Sequence, residues 1–236
     1  MIGFEANNTP HMASVRYNLF GSIAHNNGYP LRWYAYWMNR KPTATPCVTM
    51  FTRQWGAAVD PMGGTSVVIE DGAIDAITNQ RVAIPEHGYV VHFRGEDSLL
   101  ARFHVGDRIT FAPEMTVNGD DPAAWGNVTE AVGAGPRVLT HGTPVFTPAA
   151  EGFSDQKILQ LSGARSAAGY TSDGVLYLIT TRGARVSDLG HILKALGCVE
   201  GMNLDGGASS GLWYRGSYLT TPGRQISNAL LVVERK

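Results

Sequence analysis

The richest chemistry in this sequence lies in one short segment, residues 203–210, which reads Asn-Leu-Asp-Gly-Gly-Ala-Ser-Ser. Its carboxylate, Asp205, is followed by two glycines, which allow the main chain to approach a ligand closely. Two serines then add hydroxyl groups that donate or accept hydrogen bonds. The segment therefore predicts a polar ligand site with Asp205 at its centre. Because Asp-Gly is also a common hairpin turn, a purely structural turn is the alternative interpretation.

Two arginines and one histidine are the other candidates for chemistry. Arg165 precedes a run of small residues, and Arg224 lies in the loop 222–228 together with an amide and a hydroxyl. A guanidinium group is well shaped to hold a phosphate through two parallel hydrogen bonds. The imidazole of His141, between a threonine and a glycine, could exchange protons near neutral pH. The alternatives are a solvated loop, an arginine paired with a surface carboxylate, and a structural histidine.

The elements that must position these residues are mostly short strands. β-branched and aromatic residues between turn signals predict strands at 46–51, 65–70, 88–93, 108–115, 136–140, 166–170, 175–181, 201–204, 212–214, 217–220 and 228–234. The sequence thus predicts an α+β fold, a strand-rich single domain with mixed sheets and few helices.

One helix is predicted, at residues 187–197. Its apolar residues recur at helical spacing and fall on one face. Ser187 is expected to cap its start, and Gly197 is expected to end it. The predicted strand 201–204 follows directly, so the Asp205 turn is expected at the end of a rigid element.

Three motifs occur together in one order: Arg-Ser-Ala-Ala-Gly at 165–169, the segment 203–210, and Arg-Gln-Ile-Ser-Asn at 224–228. In this combination the sequence resembles the phosphodiester glycosidase family. Less specific support comes from the segments 51–56, 67–72, 84–90 and 135–142. The resemblance covers about residues 47–236, so we expect a family-like domain at 46–236 and a divergent or incomplete N-terminal segment at 1–45.

The sequence departs from the family pattern in two places. Ala208 stands where relatives commonly have a third glycine. The early Asn-Gly-Phe-Phe-type segment of the family is matched well by neither residues 6–8 nor residues 25–28. Site residues that this early segment contributes in relatives therefore cannot be carried over.

The resemblance implies hydrolysis of a sugar-1-phosphodiester, which releases a free sugar and a phosphate monoester. Because the phosphate leaving group is a weak base, such a reaction needs little help from a general acid. The residues expected to act in catalysis are Asp205 and His141. Those expected to bind phosphate or sugar are Arg165, Asn203, Gly206, Gly207, Ser209, Ser210, Arg224 and Asn228. No second catalytic carboxylate is identified. No cofactor and no required metal are expected, and a loosely held calcium ion at Asp205 is the alternative left open.

Composition excludes several other classes of function. The formal net charge is −1 over 236 residues, which gives no basic field to attract nucleic acid. No apolar run approaches the roughly 18 residues of a membrane span. No signal peptide is visible at the start, yet the resemblance implies a secreted or cell-surface protein acting on a glycan or cell-wall polymer. Cys47 and Cys198 are compatible with one disulfide or with two buried thiols.

Two further hypotheses compete with the enzyme. A catalytically inactive module that binds a sugar phosphate or a cell-wall polymer would keep the glycine turn and the arginines. A structural β-rich accessory domain would explain the strands but not the polar C-terminal loops. The sequence does not indicate the sugar, its anomer or the oligomeric state.

Overall fold

The computed structural model describes residues 1–24 and 29–234. They form two compact units, one of residues 1–15 with 117–234 and one of residues 16–116. The segment 25–28, one candidate for the early family motif, lies outside the described residues.

The described residues form many strands and few helices. The strands before residue 120 are β1 (Ile2–Glu5), β2 (Pro10–Met12), β3 (Ser14–Ala24), β4 (Leu31–Ala35), β5 (Trp37–Met38), β6 (Cys47–Phe51), β7 (Ala58–Val59), β8 (Thr65–Glu70), β9 (Ala73–Thr78), β10 (Val82–Ala83), β11 (Gly88–Arg94), β12 (Arg108–Phe111) and β13 (Glu114–Asn118). The later strands are β14 (Val128–Val132), β15 (Arg137–Thr140), β16 (Thr143–Pro144), β17 (Gly163–Tyr170), β18 (Leu176–Ala184), β19 (Glu200–Asn203), β20 (Leu212–Tyr214) and β21 (Ser217–Thr220).

The helices are short except for one. The α-helices are α1 (Asp97–Leu100), α2 (Pro122–Trp125), α3 (Gln156–Leu159) and α4 (Val186–Ala195), and single 3₁₀ turns occur at Pro148–Glu151 and Gly207–Ser209. None of the helices in the described part of the chain is long and apolar enough to cross a membrane.

The unit of residues 16–116 is built on a nine-stranded sheet. The strand order is β13-β3-β12-β9-β8-β11-β6-β5, and β4 pairs with β3. The sheet is mixed because β5 runs parallel to β6, whereas β8 and β11 pair antiparallel. Alternate residues of these strands enter an apolar core that includes Trp33, Ile69, Val91 and Phe93, as the two-residue period of a strand requires.

The other unit carries the candidate site on a five-stranded antiparallel sheet. Its strand order is β16-β15-β19-β17-β18, with β19 in the centre between β15 and β17. Helix α4 buries Leu189 and Leu193 against Leu139 and Ala167 on one face of this sheet. The opposite face carries a second apolar cluster of Ile2, Met12, Ala168 and Met202. The sheet is therefore covered on both faces, which fixes the position of β19.

Helix α4 begins at Val186, one residue earlier than expected. The main-chain N–H of Arg185 donates to Oδ2 of Asp188 at 2.8 Å, so Arg185 is the residue that precedes the helix and the predicted cap at Ser187 is wrong. After the helix, Gly197 adopts the left-handed conformation with φ of +86° and its N–H donates to the carbonyl of Lys194. The prediction that Gly197 ends the helix is confirmed.

The α+β fold, rich in strands with mixed sheets and few helices, is confirmed. The predicted strand 228–234 is wrong, because these residues form no strand and their apolar side chains Leu231, Val232 and Val233 are 71–79% exposed. The predicted strand 108–115 is two strands, β12 and β13. Cys47 and Cys198 are both buried and free. The domain boundary near residue 45 stays a prediction.

Candidate active site

The Asp205 turn leaves the buried central strand of the five-stranded sheet. All four residues of β19 are buried, and the strand pairing continues to Leu204, whose N–H donates to the carbonyl of Ser166 at 2.8 Å. The next side chain, Asp205, is 71% exposed. Its Oδ1 accepts a hydrogen bond from the N–H of Gly206 at 2.9 Å. The rigid strand thus positions the carboxylate of Asp205 at the surface, in contact with solvent.

A 3₁₀ turn follows Asp205 and orders the two serines. The N–H of Ser209 donates to the carbonyl of Gly206, and the N–H of Ser210 donates to that of Gly207. Gly207 has φ of +62°, in the left-handed region that side chains disfavour. Both serines are at least nine-tenths buried. The second glycine of the segment is therefore needed for the shape of this turn.

Arg224, in the loop 222–228, contacts the same turn. Its Nη2 lies 3.1 Å from Oδ2 of Asp205, its Nε donates to Oγ of Ser209 at 2.7 Å, and its Nη2 also donates to that oxygen. The loop is held by a main-chain hydrogen bond from Gly223 to Ala208 at 2.8 Å. A solvent-exposed ion pair of this kind adds little stability, but it places a guanidinium group beside the carboxylate of the turn.

Arg165 lies beside the turn but is buried. Only 7% of the residue is exposed, and its Nη2 donates to the carbonyls of Lys157 and Leu161 at 2.7 and 2.6 Å. A Cβ built on Gly206 would lie 3.0 Å from the carbonyl oxygen of Ala164 and 3.4 Å from Nη1 of Arg165. The first glycine of the segment therefore lets the main chain pass close to this guanidinium group.

Several buried polar atoms near the turn have no hydrogen-bond partner among the described residues. They include Nε of Arg165, Oγ of Ser166, Oδ1 of Asn203 and Oγ of Ser210. Nδ2 of Asn203 does have one, the carbonyl of Gly135 at 2.8 Å. Unpartnered buried polar groups are uncommon and energetically costly. Those on β17, β19 and the following turn are donors and acceptors that a polar ligand can bind.

His141 lies at the other end of β19. Its main-chain N–H donates to Oε1 of Glu200 at 2.9 Å, and its Nδ1 lies 3.2 Å from the same oxygen. The imidazole is 86% exposed. Glu200 begins β19 and Asp205 follows five residues later, which corresponds to about 16 Å at the rise of an extended strand. The structure therefore does not bring the two catalytic candidates together.

Sequence reasoning missed the buried ion pair beside His141. Arg137 and Glu200 are joined at 2.5 Å between Nη2 and Oε2, and both side chains are at least nine-tenths buried. Arg137 also donates from its main-chain N–H to Glu151, and burial raises the pKa of the Glu151 carboxyl. The two residues are 63 positions apart in the sequence, so no local sequence pattern predicts that they form an ion pair.

A groove of about 720 Å³ opens next to this ion pair. Asn7 and Asn8 line it together with Asp120, His141 and Glu200. These asparagines belong to the segment 6–8, the other candidate for the early family motif. The groove adjoins the start of β19, so this segment does not lie at the Asp205 turn.

Asn228 lies in an exposed segment after Arg224, and within the described residues no hydrogen bond joins it to the other candidates. In that same part of the chain, no group of three or more His, Cys, Asp or Glu side chains is arranged to hold a metal ion. The residues brought together are thus Asp205, Ser209 and Arg224, with Arg165 under the turn.

Comparison with known proteins gives a family for this arrangement. The family model described as phosphodiester glycosidase matches residues 56–233, which include every candidate site residue. No curated protein matches the sequence.

Two solved structures share the fold. A hypothetical protein from Synechocystis is 24% identical with a TM-score of 0.74, over 94% of this chain and 42% of that one. A putative exported protein from Burkholderia pseudomallei is 18% identical with a TM-score of 0.67, over 94% of this chain and 54% of that one. This chain therefore spans about half the length of these structures.

Proposed function

The chain belongs to the phosphodiester glycosidase family, and on this premise we propose that it hydrolyses a sugar-1-phosphodiester at the anomeric C–O bond. The products are a free sugar and a phosphate monoester. The observation that carries the proposal is the contact of Arg224 with both Asp205 and Ser209 at the end of a buried strand. It places a carboxylate and a guanidinium group side by side, and the substrate requires both.

The proposed reaction needs a carboxylate near the anomeric carbon. Water attacks that carbon, the bond to the bridging oxygen breaks, and its electron pair leaves with the phosphate. Asp205 takes the proton of the water and stabilises the positive charge that develops on the sugar. The leaving phosphate is a weak base, so a strong general acid is not required. An exposed carboxylate with one close cationic neighbour suits this role.

The two arginines are proposed to hold the phosphate. Arg224 presents a planar, exposed guanidinium group beside Asp205, and such a group binds phosphate oxygens in pairs. Arg165 adds positive charge beneath the turn and has an unpartnered Nε. Asn203 and the two serines are proposed to bind sugar hydroxyls or phosphate oxygens, as are the main-chain amides of Gly206 and Gly207. Asn228 is proposed to join them when a substrate is bound.

One observation favours the inactive binding module as the second candidate. His141 contacts Glu200, which lies about 16 Å along β19 from Asp205, so the two acid–base candidates do not adjoin. A site with one carboxylate and two arginines could hold a sugar phosphate without cleaving it. Under either function we propose that the ligand belongs to a glycan or cell-wall polymer outside the cell, on the ground of the family resemblance alone.

Isotope-labelled water tests the reaction directly. The protein is incubated in H₂¹⁸O with the methyl phosphodiesters of glucose-1-phosphate and N-acetylglucosamine-1-phosphate, and the products are analysed by mass spectrometry. We expect free sugar carrying the label and unlabelled methyl phosphate. Label in the phosphate would indicate P–O cleavage and overturn the proposal. Saturable binding of a diester without turnover would select the binding module instead.

A further inference from the structure

An exposed aromatic hairpin lies between the Asp205 turn and Arg224 in the sequence. It consists of β20 and β21, joined by a tight turn in which Arg215 and Gly216 both have positive φ. Trp213 is 60% exposed and Tyr218 is 56% exposed. Large aromatic side chains grouped at the surface mark binding sites more often than scattered ones do. The hairpin has no role in the function proposed above.

Two of its rings form a pair available to a ligand. Trp213 and Tyr218 are direct partners across the two strands, so their side chains lie side by side on one face. The neighbouring Tyr214 differs, because the guanidinium group of Arg215 lies over its ring at 5.2 Å from the centroid. Tyr214 and Leu219 are exposed as well, but Trp213 and Tyr218 are the two rings that the strand pairing places side by side.

The base of the hairpin is fixed to the candidate active site. Gly223 donates its N–H to the carbonyl of Ala208 at 2.8 Å, and a Cβ built on Gly211 would lie 3.3 Å from Pro222. The start of β20 and the end of β21 therefore lie beside the contact of Arg224 with Ser209. At the base, Thr220 at the end of β21 is also held by a hydrogen bond of 2.7 Å between its hydroxyl and that of Thr180.

The size of the aromatic pair fits a sugar ring better than a protein. Two aromatic side chains can bury at most about 300–500 Å² together, whereas a stable protein interface buries about 800 Å² on each partner. The negative face of an aromatic ring attracts weakly positive groups, and the axial C–H bonds of a pyranose ring form such a surface. The hydroxyl groups of that sugar stay at the rim, where they contact water.

We propose that Trp213 and Tyr218 form a platform for a sugar ring of the substrate other than the one joined to the phosphate. The inference rests on the proposed function and narrows it: the substrate is an oligosaccharide or polysaccharide carrying the phosphodiester. Asp205 and the arginines engage the sugar phosphate, and the hairpin holds the next part of the glycan.

Uncharged oligosaccharides test the platform without any chemistry at Asp205. Cellotetraose, maltotetraose and chitotetraose are titrated against the parental chain and followed by calorimetry and saturation-transfer NMR. We expect at least one to bind, and we expect Trp213→Ala and Tyr218→Ala each to weaken its Kd at least about fivefold, the scale of one aromatic contact. Trp213→Phe should retain most of the affinity. The matched control is Trp37→Ala, an exposed tryptophan of the other unit that stacks on Arg40.

Three results would overturn the platform. They are the absence of binding by all three tetrasaccharides, unchanged affinity in both alanine variants, and a parental dimer that Trp213→Ala converts to a monomer in sedimentation experiments. The last would assign the rings to contacts between copies. Asp205→Asn should bind the tetrasaccharides like the parental chain. Tetrasaccharide binding without diester hydrolysis would therefore reject the proposed reaction and retain the platform, and the converse result would reject only the platform.

Discussion

Asp205 and His141 lie near opposite ends of β19, so a pair of variants can decide which end holds the chemistry. Asp205→Asn keeps the size of the side chain and removes its charge. We expect turnover of a sugar-1-phosphodiester to fall at least about a hundredfold, as is typical for acid–base groups. His141→Ala should leave turnover within about twofold, because its exposed imidazole contacts Glu200, at the opposite end of β19 from Asp205. Both are measured as kcat, with melting temperatures as the control for folding.

The opposite result would also be informative. Parental turnover in Asp205→Asn combined with a large loss in His141→Ala would move the reaction to the groove beside Glu200. Equal losses in both variants would require a substrate that extends along β19 from the Asp205 turn to His141. The proposed site does not extend that far.

The two arginines are expected to respond differently to replacement by lysine. Arg224→Lys keeps the charge but loses the planar group that contacts Asp205 and Ser209, so KM for a phosphodiester should rise about tenfold with little change in melting temperature. Arg165→Lys should also lower the melting temperature, because the buried guanidinium donates to two carbonyls. Kinetics and thermal melting of both variants check this. Parental kinetics in both would remove the arginines from phosphate recognition.

At the scale of single residues, the sequence predicted which side chains meet from local grouping and from the family motifs. Asp205 and the serines lie within eight residues, so their grouping in one turn could be predicted. Arg224 was expected, from the family resemblance, to bind the same substrate as Asp205, and the structure has the two side chains in contact. The pair of Arg137 and Glu200 could not be predicted, because β15 and β19 meet only through the topology of the sheet.

At the scale of elements, the sequence was most informative where the apolar pattern was long. β8 has the predicted bounds, and α4 starts one residue earlier and ends two residues earlier than predicted. Predictions failed where a strand depends on pairing with a neighbouring strand. Residues 228–234 have a strand-like composition, but no strand of the described part of the chain pairs with them. The strands before residue 36 were not predicted either, because polar residues interrupt their alternation.

The close packing of α4 on the sheet gives a prediction about stability. A Cβ built on Gly190 would lie 2.0 Å from the carbonyl oxygen of Val138, a separation that requires the helix to move away from β15. We expect Gly190→Ala to lower the free energy of unfolding by at least about 2 kcal/mol, or about 4–8 °C in melting temperature. Gly183→Ala on β18 is the control, since its nearest neighbour is the hydroxyl of Ser162 at 4.0 Å.

Denaturant unfolding followed by circular dichroism measures both glycine variants. If Gly190→Ala is as stable as Gly183→Ala, the contact between the helix and the sheet is looser than the structure indicates. Because α4 covers the face of the sheet that contains Asn203, a displaced helix should also reduce binding at the Asp205 turn.

At the scale of the whole molecule, each unit has its own apolar core and its own free, buried cysteine. Burial raises the pKa of the Cys198 thiol, which keeps it protonated and unreactive. We expect both thiols to resist a disulfide reagent in the native protein and both to react in denaturant. Fast reaction of one thiol in native buffer would indicate that the unit containing it opens locally.

The unit of residues 16–116 is expected to lose stability as the pH falls. His92 is buried, its Nδ1 lies 3.0 Å from Oγ of Ser66, and its Nε2 has no partner among the described residues. Burial, with a smaller effect of Arg94, lowers the pKa of His92. The unfolded chain therefore binds a proton more readily than the folded one, and stability declines below about pH 6.5, the ordinary histidine pKa.

Melting temperatures between pH 7.5 and pH 5 test this linkage. The parental protein should lose stability across this range, and His92→Gln should lose less, because glutamine stays neutral at both ends of it. His87→Gln is the matched control, since His87 is an exposed histidine of the same unit and its replacement should leave the parental slope unchanged. Equal slopes in all three proteins would show that protonation of His92 does not limit stability. The pH dependence would then have to come from other groups, such as the carboxylates of the unit that carries Asp205.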